Sequence, residues 1–176
     1  MARARGTGRP ERHDRPASAR APVFWRAGLL VVATLLTYAN SLSGPFVFDD
    51  SATVLTNGSI ETLSPTTVLA PPHETPVAGR PLVNLSFAIN YAFGGLDVVG
   101  YHLVNLACHL ASGLLIFGIL RRTLRLPRLK ERLGGRGWGV AFAAALIWIL
   151  HPLNTEAVDY LTQRTELMMA LCYLLT

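Results

Sequence analysis

Cysteine is nearly absent from this chain of 176 residues: Cys108 and Cys172 are its two cysteines. Both lie in apolar runs, which excludes a disulfide framework and any zinc-type ligand spacing. Charge is scarce as well, with 15% charged residues against 51% hydrophobic ones. A soluble domain would spread its apolar residues at a regular periodicity, but here they gather in blocks, which is a membrane composition. The basic segments lack interleaved aromatics and flank those blocks, so a nucleic-acid partner is not expected. No internal repeat is visible.

The apolar blocks run from Val23 to Leu42, Leu96 to Leu120 and Trp138 to Leu150, and a fourth begins near Leu167 and is still running at Thr176. A helix needs roughly 20 residues to cross the ~30 Å hydrocarbon layer, so the last run is expected to belong to a longer polytopic protein. Charge is segregated between the blocks. Residues 1–22 carry six Arg against Glu11 and Asp14, and residues 121–137 carry six Arg and Lys130 against Glu131. Residues 43–100 carry Arg80 against Asp49, Asp50, Glu61, Glu74 and Asp97. Lys and Arg collect on the cytoplasmic side, which puts the N-terminus and the 121–137 loop inside and the long first loop outside.

The expected fold is therefore an all-α, polytopic membrane helix bundle, integral and multi-pass. It divides into a disordered basic tail (1–22) and a membrane domain (23–176) with spans of about 23–42, 96–120, 138–152 and 166–176. The outer loop is 43–95 and the cytoplasmic loop 121–137. The first helix is read as an uncleaved anchor, because the segment ahead of it is long and contains acidic residues. Within the outer loop, "LSPTTVLAPPHETPVAGRP" is too rich in Pro, Thr and Gly for a regular element. The stretch "PLVNLSFAINYAF" is too short to span. Letting it span would throw the basic loop outside, so it is read as an interfacial or re-entrant helix started by Pro81 and ended by Gly94 and Gly95.

Chemistry is expected where three segments share the outer side: the adjacent Asp49 and Asp50, the region from Arg80 to His102, and the segment with His151, Glu156, Asp159, Arg164 and Glu166. A turn or a helix cap would explain one of the two aspartates. Together with cations they suit a substrate that has an anionic headgroup and a lipid tail. A carboxylate can deprotonate a hydroxyl nucleophile, and Arg80 and Arg164 can stabilise a phosphate leaving group. A divalent metal ion at Asp50 ranks lower, since adjacent carboxylates on an extended segment point to opposite faces. His102, Asn105, His109 and Ser112 share one helix face. His109 and Ser112 are read as interhelical packing, and His102 as packing or function. Asn57 opens an "NGS" sequon.

The segments "NSLSGPFVFDDSATVLTN", "RPLVNLSFAINYAFGGLDVVGYHLVNLACHL" and "HPLNTEAVDYLTQRTELMMAL" resemble, over roughly residues 25–176, the N-terminal part of the multi-spanning glycosyltransferases that carry C-terminal tetratricopeptide repeats. These are related to the protein O-mannosyltransferases and share the GT-C fold. The resemblance implies transfer of a sugar from a polyprenyl-phosphate donor to an acceptor hydroxyl of a protein or glycan. It also implies inversion at the anomeric carbon and chemistry on the extracytoplasmic face, with a bacterial inner membrane preferred to an endoplasmic reticulum.

By that likeness Asp49 is the general base and Asp50 supports it. Arg80 matches the family's "RPL", and His151, Glu156 and Arg164 match its "HP…EAV…R", with His102 nearby as a further substrate-binding candidate. Glu166 stands where Asp is more often expected. Membrane lipids and a lipid-linked sugar are the implied partners, and no cofactor is implied beyond a possible divalent ion. The remaining spans and the repeats are not in this chain, so activity is expected of the parent protein. The competing reading is a non-catalytic membrane anchor of a repeat-containing interaction protein.

Overall fold

The computed structural model describes residues 21–176. The basic tail read as 1–22 lies outside the described residues except at its last two positions, where the first helix already begins. No strand occurs among the described residues, so the all-α membrane class is observed.

The helices follow the apolar blocks. Helix α1 spans Ala21–Thr37, earlier than the expected end at 42, because the chain turns at Tyr38–Asn40 and enters a short 3-10 turn at Ser41–Ser43. Helix α4 spans Val98–Thr123. Asp97 caps it by accepting the Val99 N–H at 3.2 Å, and Arg121 and Arg122 stand in its last turn, where cations suit the helix dipole. Its 26 residues rise about 39 Å, and it is the one described helix long and apolar enough to cross a membrane. Helix α6, Gly137–Ile149, is apolar but shorter, as is α1.

Helices α1 and α6 pack on α4, and so does α8, Arg164–Leu175. Leu30, Phe117, Ala141, Ala145 and Ile149 form the fully or nearly buried centre of the first contact set. Small residues let these backbones approach, as they do in membrane bundles generally. Gly113 marks the closest approach, where a Cβ would overlap Ile149 Cδ1 and sit 2.9 Å from its Cγ1. His109 Nε2 pairs with the Ile149 carbonyl oxygen at 2.8 Å, and the ring stacks on Trp148. Ser112 is buried too, but its hydroxyl has no hydrogen-bond partner among the described residues.

The long first loop is not open chain. It makes one π-helical turn at Ser51–Leu55, a 3-10 turn at Gly58–Ile60 and a single helical turn, α2, at Pro65–Val68. Val54, Ile60, Val68 and Val77 are buried against Phe87 and Ala88 of α3, Pro81–Gly94, and against Tyr101 and Leu161. Irregular backbone is tolerated there because side chains satisfy it. Asn84, fully buried, donates to the Val68 carbonyl at 2.8 Å and to Ser59 Oγ at 2.9 Å. The Asn57 amide donates to the Thr53 carbonyl and to Asn84 Oδ1, both at 3.0 Å. Asn57, the sequon residue, is 2% exposed. In the folded chain it is a structural clamp, closed to modification.

Two short elements complete the path. Helix α5, Pro127–Leu133, lies in the basic loop, and α7, Asn154–Asp159, precedes a 3-10 turn at Leu161–Gln163.

Candidate active site

The two adjacent aspartates have opposite surroundings. Asp50 is fully buried. Its Oδ1 accepts from the Thr162 N–H at 2.8 Å and the Thr162 hydroxyl at 2.7 Å, while its Oδ2 accepts from the Val47 N–H at 3.1 Å. It ties the first loop to the turn before α8. Asp49 is exposed, and its N–H donates to the Tyr160 hydroxyl oxygen at 3.0 Å.

Tyr160 is pushed above the ordinary phenol value, first by burial and then by the Asp49 and Asp50 carboxylates, against an opposing hydrogen bond from the Asp49 backbone. The phenol therefore keeps its proton and faces Asp49 as a neutral group. Ahead of the pair, Phe48 has φ +47. A non-glycine side chain in that left-handed region costs about 1–3 kcal/mol and persists only where its surroundings impose it. The Val47 and Phe48 carbonyls accept from the N–H groups of Asp50 and Ser51, and the Phe48 ring meets Tyr160 edge-on at 6.3 Å. The strained turn leaves the Asp49 carboxylate in the open and points that of Asp50 inward.

Arg164 is the largest fully buried side chain. Its Nε donates to Asn105 Oδ1 at 2.9 Å, its Nη1 to Asn90 Oδ1 at 2.6 Å and Ser86 Oγ at 3.3 Å, and its Nη2 to the Tyr101 carbonyl at 2.9 Å. The guanidinium carbon lies 4.1 Å from the Phe87 ring centroid. All of these partners are neutral. The fold thus binds α3, α4 and α8 to one cation and leaves it no surface from which to reach a phosphate.

Arg80 is the exposed cation of this region. It donates to the Pro76 carbonyl at 2.9 Å and lines, with Thr165, Glu166 and Met169, a shallow groove of about 290 Å³. His102 is buried, with Nε2 3.1 Å from the Gly44 carbonyl oxygen and Nδ1 unpartnered among the described residues. Asp159 lies beside it with Oδ1 unpartnered as well. Burial raises the Asp159 carboxyl above its usual value, while Ser41 and His102 pull it back. His151 and Glu156 are exposed; the His151 ring nitrogen Nδ1 accepts the Leu153 N–H at 3.3 Å, a contact confined to its own turn.

The structure therefore joins Asp49 and Asp50 to the segment before α8 through Tyr160 and Thr162, two residues the sequence reading did not select. Their signal was position, since both fall inside the quoted "HPLNTEAVDYLTQR" run. Asn105, Asn90 and Ser86 were missed as partners of Arg164. A divalent ion does not fit at Asp50, whose two oxygens face N–H and O–H donors, and no cluster of three ligating side chains occurs among the described residues.

No protein-family model matches the chain, and no solved structure matches it. Curated proteins do. It is 37% identical over 158 residues to the protein O-mannosyl-transferase Tmtc1 of Drosophila melanogaster, covering 85% of this chain and 17% of that protein. It is 34% identical over 151 residues to the mouse protein O-mannosyl-transferase TMTC2, covering 81% of this chain and 17% of that one. With the human protein O-mannosyl-transferase TMTC4 the identity is 32% over 172 residues, covering 88% of this chain and 22% of the relative. The chain thus spans about a fifth of the length of these relatives. Over most of its own residues it is thus homologous to part of proteins named protein O-mannosyl-transferases.

Proposed function

We propose that the protein of which these residues form a part is an integral-membrane, multi-pass glycosyltransferase of GT-C type. It moves a sugar from a polyprenyl-phosphate donor to an acceptor hydroxyl with inversion. Asp49 takes the acceptor proton as the oxygen attacks the anomeric carbon, and the bond from that carbon to the phosphate oxygen breaks on the opposite side. Arg80, exposed near the N-terminus of α3, meets the departing phosphate. His151 and Glu156, both exposed, surround the acceptor and sugar, and the buried His102 holds the turn at Gly44 behind them. Asp50 and Arg164 serve by holding the segments that carry these groups.

The observation that carries this reading is the division of labour between the adjacent aspartates: Asp50 spends both oxygens on internal donors, while Asp49 stays exposed on a strained turn. Asp49→Asn in the full-length protein should lower transfer roughly 100-fold or more while leaving the melting temperature unchanged. Asp50→Asn should lower the melting temperature itself. Retained transfer by Asp49→Asn would remove Asp49 from the mechanism.

A second reading has an observation of its own. Arg164, the most conspicuous buried charge, is committed to packing, as it would be in a non-catalytic anchor for a repeat-containing interaction protein. Absence of transfer by the folded, full-length wild-type protein would favour that anchor.

A further inference from the structure

The opposite end of α4 carries a second concentration of charge that the transfer chemistry does not use. Past Arg121 and Arg122 the chain turns through α5 and re-enters the bundle at Gly137, where a Cβ would meet the Leu124 carbonyl oxygen at 3.4 Å. This close return folds the basic loop around a cavity of about 400 Å³ lined by Arg121, Arg125, Lys130, Gly135, Gly137 and Trp138, among others. A loop whose only task was to mark topology would let its cations spread into solvent. Here three of them converge, and no carboxylate of the described residues lines the cavity. Glu131, next to Lys130 in sequence, lines a separate shallow groove beyond Pro127.

The cations are also held in place. Arg125 and Arg121 lie 4.7 Å and 5.4 Å from the Trp138 ring centroid. Packing against an indole face fixes a guanidinium and leaves its N–H edge for an acceptor. Arg121 Nε is buried and has no hydrogen-bond partner among the described residues, so one donor is left for a further acceptor. At the lip, Gly135 at φ +85 leads the chain into α6. The first N–H groups of a helix have no internal acceptor and favour anions.

The depth of the cavity narrows the ligand class. It sits at the end of the one described helix long and apolar enough to cross a membrane, where Trp side chains settle at headgroup level and basic pockets between helices take lipid phosphates. The volume falls within the range of small-ligand sites. We propose that this cavity binds a phosphate ester, with the headgroup of an anionic phospholipid as its source. Arg121, Arg125 and Lys130 supply charge, Trp138 the platform and the α6 N-terminus further donors. The site is independent of the sugar-transfer reading.

The test uses the full-length protein in an uncharged detergent, titrated separately with dihexanoyl phosphatidylglycerol, dihexanoyl phosphatidylcholine and inorganic phosphate. Native mass spectrometry counts the bound molecules and the melting temperature reports saturation. One phosphatidylglycerol per chain is expected to bind, with phosphatidylcholine weaker. Arg121→Gln combined with Arg125→Gln should weaken phosphatidylglycerol binding roughly thirtyfold. Lys130→Gln, on an exposed face of α5, should weaken it roughly fivefold and covers the case in which the double variant misfolds. Inorganic phosphate displacing phosphatidylglycerol at similar concentration would support the phosphate site and replace the lipid by a soluble phosphate compound as its source. Wild-type binding by Lys130→Gln and by a folded double variant, or no saturable binding of any of the three probes, would overturn the proposal.

Discussion

Near its N-terminus α4 meets its neighbours through Tyr101, Asn105 and the buried Arg164, whereas past its middle it meets them through Gly113 and Phe117 against Ala145 and Ile149. The first region is joined by hydrogen bonds between residues distant in sequence, the second by the fit of small and aliphatic side chains. The difference follows from the backbone. Past the middle of α4 the neighbours are helices that satisfy their own N–H and C=O groups, so packing is all that remains to be arranged. Near its N-terminus the chain runs through single turns and bends, whose backbone groups need side-chain partners when buried. Asn84, Asn105 and Asp50 supply them. The candidate site lies in this polar region, where hydrogen bonds fix orientation as well as contact.

The largest effect should come from removing the cation that joins the polar region. Arg164→Leu leaves Asn105 Oδ1, Asn90 Oδ1 and the Tyr101 carbonyl without their donor. A buried polar group left unsatisfied costs about 1–3 kcal/mol. Losing three partners outweighs the relief of no longer burying a charge, so the variant should lose about 3 kcal/mol or more in thermal unfolding in detergent. A variant as stable as the wild type would show that packing holds both regions and would erase the contrast.

An intermediate effect tests the apolar region. Gly113→Ala places a methyl group against Ile149, and overpacking of this kind costs about 1–3 kcal/mol. Because the overlap is with Ile149 Cδ1, Ile149→Val should recover part of the loss in the double variant. The double-mutant cycle then reads a coupling. Additive losses would place the strain elsewhere on α4.

How much of this could be read from sequence divides along the same line. Helix α4 was expected at 96–120 and runs Val98–Thr123; α6 was expected at 138–152 and runs Gly137–Ile149. Runs of apolar residues bounded by Arg and Gly carry their limits locally. The partners in the polar region carry no such local mark. Asp50 and Thr162 are 112 residues apart, and Arg164 and Asn90 are 74 apart, so their meeting is decided by tertiary packing. Nor could composition tell a buried arginine from an exposed one: Arg80 and Arg164 looked equivalent until one proved open and the other fully enclosed. The irregular first loop was legible as irregular, but its order was not, because that order depends on Asn57 and Asn84 reaching across 27 residues.

The smallest expected effect concerns Asp159, the one acid among the described residues with a buried oxygen that has no hydrogen-bond partner. Asp159 Oδ1 has no partner among the described residues, and burial raises its carboxyl while Ser41 and His102 oppose the rise. A carboxyl raised on folding binds its proton more tightly in the folded state than in the unfolded chain. Its contribution to stability is thus complete below the ordinary carboxylate value of about 4 and is lost as pH climbs through the higher folded value. Asp50, whose oxygens are matched by donors, stands in contrast. Asp159→Asn should flatten the stability profile over the window just above the ordinary carboxylate range, read as melting temperature against pH. An unchanged slope in the variant would mean that Asp159 is matched by a donor after all, as the buried Asp50 is.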